Sequence, residues 1–173
     1  MVTEPAANGQ AGHLMIRSGG QSGADRAGLD AAIRCNIPYC GWVPKGGRCE
    51  DLPDGELLRR YPLLQECGSS DYRVRTRLNI RDSHATPLFT GDGLVSSPGS
   101  RLTVNACREL GRPCLVLRMD DLGTLWAALE HLPGCERLGA YEPYVLNIAG
   151  SRESRCPGIH DTVLTTLTAV LQK

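Results

Sequence analysis

The sequence predicts an α/β protein in which a mainly parallel sheet carries helices on both faces. Two observations predict this fold class. Short apolar runs alternate with segments of helical periodicity along most of the chain, and this alternation is typical of strands joined by crossover helices. In addition, four polar loops with glycine, over residues 18–23, 44–48, 97–100 and 150–158, each follow a predicted strand, so these loops are expected at the carboxyl edge of the sheet, where such proteins bind ligands.

Length and composition limit the possible classes. A chain of 173 residues has the usual size of one domain, so we expect a single domain over residues 13–173 behind a disordered tail over residues 1–12. Lys plus Arg and Asp plus Glu both number 19, which argues against a general basic field for nucleic acid. The sequence has no apolar run of membrane-spanning length and no signal-peptide core, so we expect a cytoplasmic protein without membrane contact.

The eight cysteines raise the question of a zinc site. The sequence has no C-x-x-C pair, and its cysteines are spread over predicted helices, strands and loops. We therefore interpret them as small buried apolar residues. The four histidines are equally scattered, and no metal site is assigned to them.

The first polar turn follows a predicted strand over residues 14–16. Residues 18–23 form the stretch SGGQSG, directly before a helical pattern. Glycine allows close approach of another molecule, and unpaired N–H groups at the start of a helix attract anions. The spacing is neither G-x-G-x-x-G nor G-x-x-x-x-G-K-[ST], so it predicts neither a dinucleotide site nor a Walker loop. Ser22 is also a candidate N-cap with Asp25 three residues on, which explains part of the turn structurally.

The second polar loop follows a predicted strand over residues 37–43. Lys45 and Arg48 stand beside two glycines in the stretch PKGGR, so they are candidates for contact with a phosphate or another oxyanion. An ordinary solvated turn explains them equally well. Residues 49–70 are predicted as a long loop with one short helical piece over residues 56–60, and long irregular connections in compact domains often have a functional role.

Residues 71–82, with the sequence DYRVRTRLNIRD, predict a helix with two polar stripes. The first stripe consists of Arg73, Arg77 and Arg81, and the second of Arg75, Asn79 and Asp82. An arginine-rich face is usually solvated, and this interpretation is slightly favoured. The alternative is that the second stripe points as a group toward a ligand.

A second helix start follows the third predicted strand, over residues 85–90. Pro87 cannot donate a ladder hydrogen bond, so we expect an early or edge position for it. Ser100 is the predicted N-cap of a helix over residues 101–110. Two helix starts that follow strands of one sheet can converge on one anion.

The remaining pattern predicts a strand over residues 114–118, a helix over residues 122–131, a strand over residues 144–149 and a terminal helix that ends at Leu171. A polar loop over residues 150–158 precedes that helix. Across the four polar loops, glycine, hydroxyl groups and Arg or Lys recur, and this chemistry favours a phosphorylated or oxyanionic ligand.

Five motifs resemble one known family. In chain order they are SGGQSGADRAGLDAA, GWVPKGGRCED, YRVRTRLNIRDS, PGSRLT and LNIAGSRESRCPGI. They resemble the molybdenum carrier family, whose Rossmann-like, doubly wound members are related to molybdenum cofactor carriers and to cytokinin-activating phosphoribohydrolases. The resemblance implies a homo-oligomer that holds molybdenum cofactor (molybdopterin), molybdate or a related nucleotide-like anion on its loops, with molybdoenzymes as recipients of the cofactor.

The resemblance also implies which residues hold the ligand. They are Gly19, Gly20, Gln21, Ser22, Gly23, Asp25 and Arg26 in the first loop, Lys45 and Gly46 in the second, Arg77, Asn79, Asp82 and Ser83 in the helix motif, Gly99, Ser100 and Thr103 in the third loop, and Arg152, Glu153 and Ser154 in the last. The family usually has a glycine pair and threonine where this chain has PGS, and a D-S-D-G-T run where it has DSHAT. Because a lost glycine restricts the approach of the backbone, we expect the identity or affinity of the ligand to differ here.

A missing carboxylate favours a carrier over an enzyme. The related phosphoribohydrolases have a P-G-G-x-G-T-x-x-E pattern whose Glu supports the departing ribosyl group. This chain has Ser100 and Leu102 in place of two glycines and Ala106 in place of that Glu. Loss of a general acid or base typically costs about 10²- to 10⁴-fold in rate, so no catalytic residue is assigned.

Two other functions stay open at this point. Asp25, Asp82 and Glu153 are carboxylates that leave hydrolysis of a nucleotide by a different arrangement open. A module that senses a nucleotide is the other alternative. The sequence also leaves open whether a thiol such as Cys49 or Cys156 contacts the metal.

Overall fold

The structure, a computed structural model, describes residues 14–121, 123–125, 127 and 143–172. The predicted tail over residues 1–12 and most of the predicted helix over residues 122–131 lie outside these described residues. The described strands are β1 (Leu14–Ser18), β2 (Tyr39–Val43), β3 (Leu64–Glu66), β4 (Thr86–Thr90), β5 (Cys114–Arg118) and β6 (Tyr144–Gly150). The helices are α1 (Ala24–Arg34), α2 (Glu56–Arg60), α3 (Tyr72–Arg81), α4 (Pro98–Glu109) and α5 (Ile159–Leu171).

The six described strands form one parallel sheet in the order β3-β2-β1-β6-β4-β5. The predicted Rossmann-like α/β fold is thereby confirmed. Strand β6 comes last in the chain but lies between β1 and β4. The ends of β1, β6 and β4 therefore lie side by side at the carboxyl edge, where ligands bind in doubly wound sheets.

Helices cover both faces of the sheet. On one face α1 and α5 pack against each other over the largest core cluster, which includes Ile16, Ile148 and Val163. Gly28 lets α1 approach closely, because a Cβ there would lie 2.6 Å from Cβ of Ile148. On the other face α3 packs against β2 and α4, and Ile80 belongs to a separate apolar cluster. None of the described helices is long and apolar enough to cross a membrane.

One prediction about strands is wrong. The segment predicted as a long loop contains α2 at the predicted place, but it also contains β3, which adds to the sheet beside β2. Pro87 has the early position that was one of its two expected positions, as the second residue of β4. Strand β4 is not an edge strand, because it pairs with β6 on one side and β5 on the other. The pairing with β6 occurs at Ala85 and again from Leu88, so the ladder tolerates the missing donor of Pro87 between them.

Neither predicted N-cap has that role in the structure. Helix α1 has Gly23 as its N-cap without a side-chain hydrogen bond, because Ser22 directs its hydroxyl to Glu50 instead. The N-cap of α4 is Ser97, whose Oγ accepts the N–H of Ser100 at 3.0 Å. Ser100 consequently lies within the first turn of α4.

Candidate functional site

The loop after β6 lies between the ends of β1 and β4, the two strands that lead into the predicted anion-binding segments, residues 18–23 and 97–100. At the start of α1, the N–H of Ala24 donates to the carbonyl oxygen of Ser151 at 3.1 Å, and the N–H of Ser151 donates to the carbonyl oxygen of Phe89, at the end of β4, at 2.9 Å. Gly150 has no room for a side chain, since a Cβ would lie 2.1 Å from that Phe89 oxygen. The first turn and the loop that leads from β4 to α4 therefore leave the sheet at the same edge, separated by the end of β6.

Two glycines of the first turn make room for other parts of the protein. At Gly19 a Cβ would lie 1.6 Å from Nη1 of Arg75, and at Gly23 it would lie 2.4 Å from the carbonyl oxygen of Ser151. Gly23 also has a φ of 78° and a ψ of −133°, a backbone conformation that L-residues with a side chain avoid. The packing of the protein itself thus requires glycine at both positions.

Asp25 is a buried carboxylate at the centre of this edge. Its side chain is 5% exposed and lies 2.9 Å from Nη1 of Arg75, whose side chain is 12% exposed. The second carboxylate oxygen accepts the N–H of Gly150 at 3.3 Å. Nε of Arg75 is buried and has no hydrogen-bond partner among the described residues. Arg75 is not among the residues implied by the resemblance, yet it joins α3 to the first turn and retains an unused donor.

Arg26 clamps the first turn to a carboxylate that sequence reasoning missed. Its Nη1 and Nη2 lie 2.6 and 2.9 Å from the carboxylate oxygens of Asp51, and Nη2 donates to the carbonyl oxygen of Gly20 at 3.1 Å. Burial acts to raise the pKa of Asp51, but the Arg26 guanidinium holds that pKa below its ordinary value. In this structure the charge of Arg26 is therefore already balanced.

Glu50 is a second carboxylate that sequence reasoning missed. It accepts hydrogen bonds from the hydroxyls of Ser22 and Ser154, the latter at 2.7 Å, and its carboxylate lies 3.6 Å from Nη1 of Arg152. Burial acts to raise the pKa of Glu50, but these hydrogen bonds and the arginine lower it below its ordinary value. Both missed carboxylates belong to the quoted motif GWVPKGGRCED, which was the available signal.

Gln21 brings a second unused donor into the first turn. Its side chain is buried, and Oε1 accepts the N–H groups of Ser22 at 3.1 Å and Glu50 at 2.9 Å. Nε2 is buried and has no hydrogen-bond partner among the residues that the structure describes. A buried amide without a partner costs free energy, so this donor is suited to an acceptor supplied by a ligand.

The polar stripe of Arg75, Asn79 and Asp82 faces the protein interior. The side chain of Asn79 accepts the N–H of Trp42 at 2.8 Å and donates to its carbonyl oxygen at 2.9 Å. Asp82 accepts the indole N–H of the same tryptophan at 2.8 Å. These contacts join α3 to β2, so Asn79 and Asp82 show a third outcome beside the solvated and ligand-facing alternatives.

The other two residues of the helix motif lie farther from the first turn. Arg77 is half exposed and pairs with Glu109 of α4 at 2.5 Å. Ser83 is buried, and its hydroxyl donates to the carbonyl oxygen of Asn79 at 2.7 Å. Both contacts fix α3 and its end in place.

The start of α4 is exposed at Gly99. Gly99 has no positive φ, and the nearest atom to a Cβ placed there would be Oγ of Ser97 at 3.8 Å. Ser100 and Thr103 are buried. The hydroxyl of Ser100 lies 2.9 Å from Oγ of Ser97, and the hydroxyl of Thr103 donates to the carbonyl oxygen of Gly99 at 3.1 Å. Unlike Gly19 and Gly23, Gly99 faces free space through which another molecule can approach.

The loop after β2 contributes an exposed cation. Lys45 is exposed, and within the described part of the chain its ammonium group has no ion pair. Gly46, next to it, has a φ of 80°, and its N–H donates to the carboxylate of Glu66. The charge of Lys45 therefore remains available to an anion.

Glu153 caps the start of α5. Its carboxylate accepts the N–H groups of Gly158 at 2.5 Å and of His160 at 3.1 Å. The His160 ring lies 2.8 Å from Asp30 of α1 and 2.9 Å from Asp161. The loop that contains Arg152, Glu153 and Ser154 is thus tied to the junction of α1 and α5.

We expect the free energy of unfolding to fall as the pH rises through the neutral range. Burial acts to lower the pKa of His160, but Asp161 and Asp30 raise it above its ordinary value. The protonated ring stabilises the fold fully below the unfolded pKa of about 6.5, and this contribution is lost as the pH rises through the raised pKa. Denaturant unfolding between about pH 5.5 and 8.5 measures this slope. His160→Gln should flatten it, and an unchanged slope in that variant would contradict the assignment.

The described thiols do not form a recognisable metal centre. No group of three or more His, Cys, Asp or Glu side chains among the described residues is arranged to hold a metal ion. Cys107 is buried, as expected for a small apolar residue, whereas the other described cysteines are partly exposed. Burial raises the pKa of Cys156, whose Sγ lies 3.9 Å from Sδ of Met119.

Comparisons with known proteins agree with the motifs. Residues 16–171 match the model of the circularly permutated YpsA SLOG family. The crystal structure of the "Putative molybdenum carrier protein" from Syntrophus aciditrophicus is similar to this chain, with 34% sequence identity and a TM-score of 0.78, over 95% of this chain and 98% of that chain. No curated protein matches the chain at a significant level. The likeness to the Syntrophus structure thus extends over nearly the full length of both chains.

Proposed function

Since the chain belongs to the circularly permuted YpsA SLOG family, we propose that it binds and carries an anionic ligand, the phosphorylated molybdenum cofactor or, as the alternative, molybdate. The observation that carries this proposal is that buried donors near the first turn have no partners among the described residues. Nε of Arg26 is one of them, and the proposal rests on the other two, Nε2 of Gln21 and Nε of Arg75. Arg75 lies against Gly19, so both donors adjoin the same turn. A ligand rich in acceptor oxygens would satisfy both of them.

The start of α4 and the loop after β2 supply the other ligand contacts in this proposal. Gly99 leaves the backbone accessible, and the first turn of a helix favours negative charge. Lys45 adds a cation that has no ion pair within the described residues. The remaining residues implied by the resemblance surround these groups or hold their loops in place, and they form the proposed binding site.

A carrier requires binding and release without chemical change to the ligand. The relative from Syntrophus aciditrophicus has the name "Putative molybdenum carrier protein", which supports this role for the present chain. Ala106 also supports it over phosphoribohydrolase chemistry, because it is 1% exposed in an apolar cluster with Ile80 and Cys107. The proposal includes a homo-oligomer that passes the cofactor to molybdoenzymes.

A binding and turnover assay tests this function. Purified protein is titrated calorimetrically with molybdenum cofactor, molybdate and AMP, and each mixture is then analysed by chromatography. We expect the cofactor to bind and to be recovered unchanged. Release of adenine from AMP would support the hydrolase alternative instead, and a ligand-dependent change of mass in light scattering would support a sensing module.

Gln21→Glu tests the donor that carries the proposal. The substitution keeps the acceptor used by Ser22 and Glu50 but replaces the unused amide by a negative oxygen. We expect cofactor affinity to fall about tenfold or more, because a hydrogen bond to a charged group typically contributes about 1.5–3 kcal/mol. Gln65→Glu makes the same change in charge at an exposed residue of β3, and it should leave cofactor affinity nearly unchanged. Equal effects of the two substitutions would contradict the proposed site.

A further inference from the structure

Four donor groups from two separate segments converge on the carboxylate of Glu50. The first turn contributes the hydroxyl of Ser22. The loop after β6 contributes the hydroxyl of Ser154 at 2.7 Å, the N–H of Ser154 at 3.3 Å and Nη1 of Arg152 at 3.6 Å. Two hydroxyls, one backbone N–H and one guanidinium also form a suitable donor set for a tetrahedral oxyanion.

Two of the three donor residues, Ser22 and Arg152, are also held by residues other than Glu50. Ser22 is 3% exposed, and its Oγ accepts the N–H of Glu153 at 3.2 Å, so its own proton is left for another acceptor. The guanidinium of Arg152 lies over the ring of Tyr72, 5.3 Å from the centroid. The positions of Ser22 and Arg152 therefore do not depend on the carboxylate alone.

Glu50 is able to leave this position by a rotation of its side chain. The side chain is 20% exposed, so solvent is available to the departing carboxylate. Its backbone N–H is held independently by Oε1 of Gln21 at 2.9 Å. The low pKa of Glu50 keeps it ionised at neutral pH, where it competes as an anion.

We propose that Ser22, Arg152 and Ser154 form an oxyanion subsite, which Glu50 fills as an internal competitor until the phosphate or molybdate group of a ligand displaces it. This inference rests on the proposed function, because it places the anionic group of that ligand. Displacement exchanges one anion for another on the same donors. The free energy spent in releasing Glu50 lowers the affinity of the native protein for simple oxyanions.

A purely structural role for Glu50 predicts the opposite effect. In that case Glu50 only holds the first turn against the loop after β6, and its removal would loosen Ser22 and Ser154. Oxyanion affinity would then fall or stay the same. The direction of the change in affinity therefore distinguishes a carboxylate that competes with the ligand from one that only holds the two segments together.

Calorimetric titration with inorganic phosphate and with molybdate tests the subsite. We expect Glu50→Gln to raise the affinity for at least one of these anions about tenfold, because a neutral amide binds the donors less strongly than a carboxylate. Glu50→Asp keeps the charge but shortens the side chain by one methylene group, so the carboxylate no longer reaches the donors. It should therefore also raise the affinity for phosphate or molybdate. Thermal unfolding of each variant shows that it is folded, so the two substitutions give independent tests.

Two further variants complete the design. Glu109→Gln removes an exposed carboxylate on α4, which pairs with Arg77, and it controls for the change in net charge. Arg152→Gln, added to Glu50→Gln, should abolish the gain because it removes a donor of the subsite. Affinity that is unchanged, lowered or undetectable in both Glu50 variants would overturn the proposal.

The same titrations separate this inference from the proposed function. If Glu50→Gln gains affinity for free phosphate but the native protein binds neither molybdenum cofactor nor molybdate, the subsite stands and the carrier function fails. If the native protein binds the cofactor and the Glu50 variants show no gain, the carrier function stands and the subsite fails. Comparison of free anion with cofactor also shows whether the bound group comes from an inorganic ion or from a larger ligand.

Discussion

Replacing Arg75 by leucine is expected to lower the free energy of unfolding by about 3–5 kcal/mol, which is the usual cost of removing one partner from a buried ion pair. The side chain of Asp25 is 5% exposed. Among the described residues, its carboxylate would then keep only the hydrogen bond from the N–H of Gly150. Most small domains have about 5–15 kcal/mol of stability, so this loss would shift the denaturant midpoint strongly. Urea unfolding followed by circular dichroism measures it.

A second arginine on the same helix provides the matched control. Arg73 is 74% exposed and pairs with Asp71, so Arg73→Leu should leave the free energy of unfolding nearly unchanged. Adding Asp25→Asn to Arg75→Leu should restore part of the loss, since the unpaired charge is then removed while an acceptor for Gly150 remains. Similar losses for the Arg73 and Arg75 variants would show that the burial of the pair does not control its contribution.

Gly23→Ala is expected to cost about 3 kcal/mol or more, because backbone strain and a steric clash add together. The φ of 78° and ψ of −133° at this residue disfavour any side chain. The new Cβ would also lie 2.4 Å from the carbonyl oxygen of Ser151 and 2.7 Å from the N of Glu153. These are backbone atoms that cannot rotate away, so the loop after β6 would have to move.

Gly99→Ala is the matched control for this substitution. Gly99 lies in a helix, has no positive φ and has only Oγ of Ser97, at 3.8 Å, within reach of a new Cβ. Because alanine is favoured over glycine in helices by up to about 1 kcal/mol, Gly99→Ala should be neutral or stabilising. Thermal unfolding of both variants measures the difference. Comparable destabilisation at the two positions would contradict the steric explanation.

The sequence predicted the long periodic elements well and the short strand poorly. Helix α3 and strand β5 lie where their apolar patterns placed them. Strand β3 has three residues, Leu64–Glu66, which is too short for an alternating pattern to be recognised. The central position of β4 was also not predictable from Pro87, because strand order depends on contacts between distant parts of the chain.

Local capping rules failed where tertiary contacts were stronger. Ser22 has the right residue type for an N-cap, but Glu50, distant in sequence, accepts its hydroxyl instead. For α4 the signal was present in the sequence, since a serine before a proline is typical of N-cap and N1 positions. Ser97 and Pro98 occupy those positions in the structure.

The family could be predicted, and so could the position of the polar loops at the carboxyl edge of the sheet. The partners of individual side chains could not be predicted. The resemblance is confirmed by the family match over residues 16–171 and by the Syntrophus structure. The contacts of Asp25 with Arg75 and of Arg26 with Asp51 join residues far apart in sequence, and no local pattern specifies them. The list of ligand-binding residues stays a prediction that the proposed titrations test.

The position of β6 has a consequence for synthesis of the protein. Strands β1 to β3 and the pair of β4 and β5 emerge from the ribosome before β6, yet β6 is the strand that joins them. Until then the nascent chain presents two partial sheets with unpaired inner edges, and such edges invite association with other chains. Shielding by a chaperone would matter most during this interval, which ends when β6 inserts between β1 and β4.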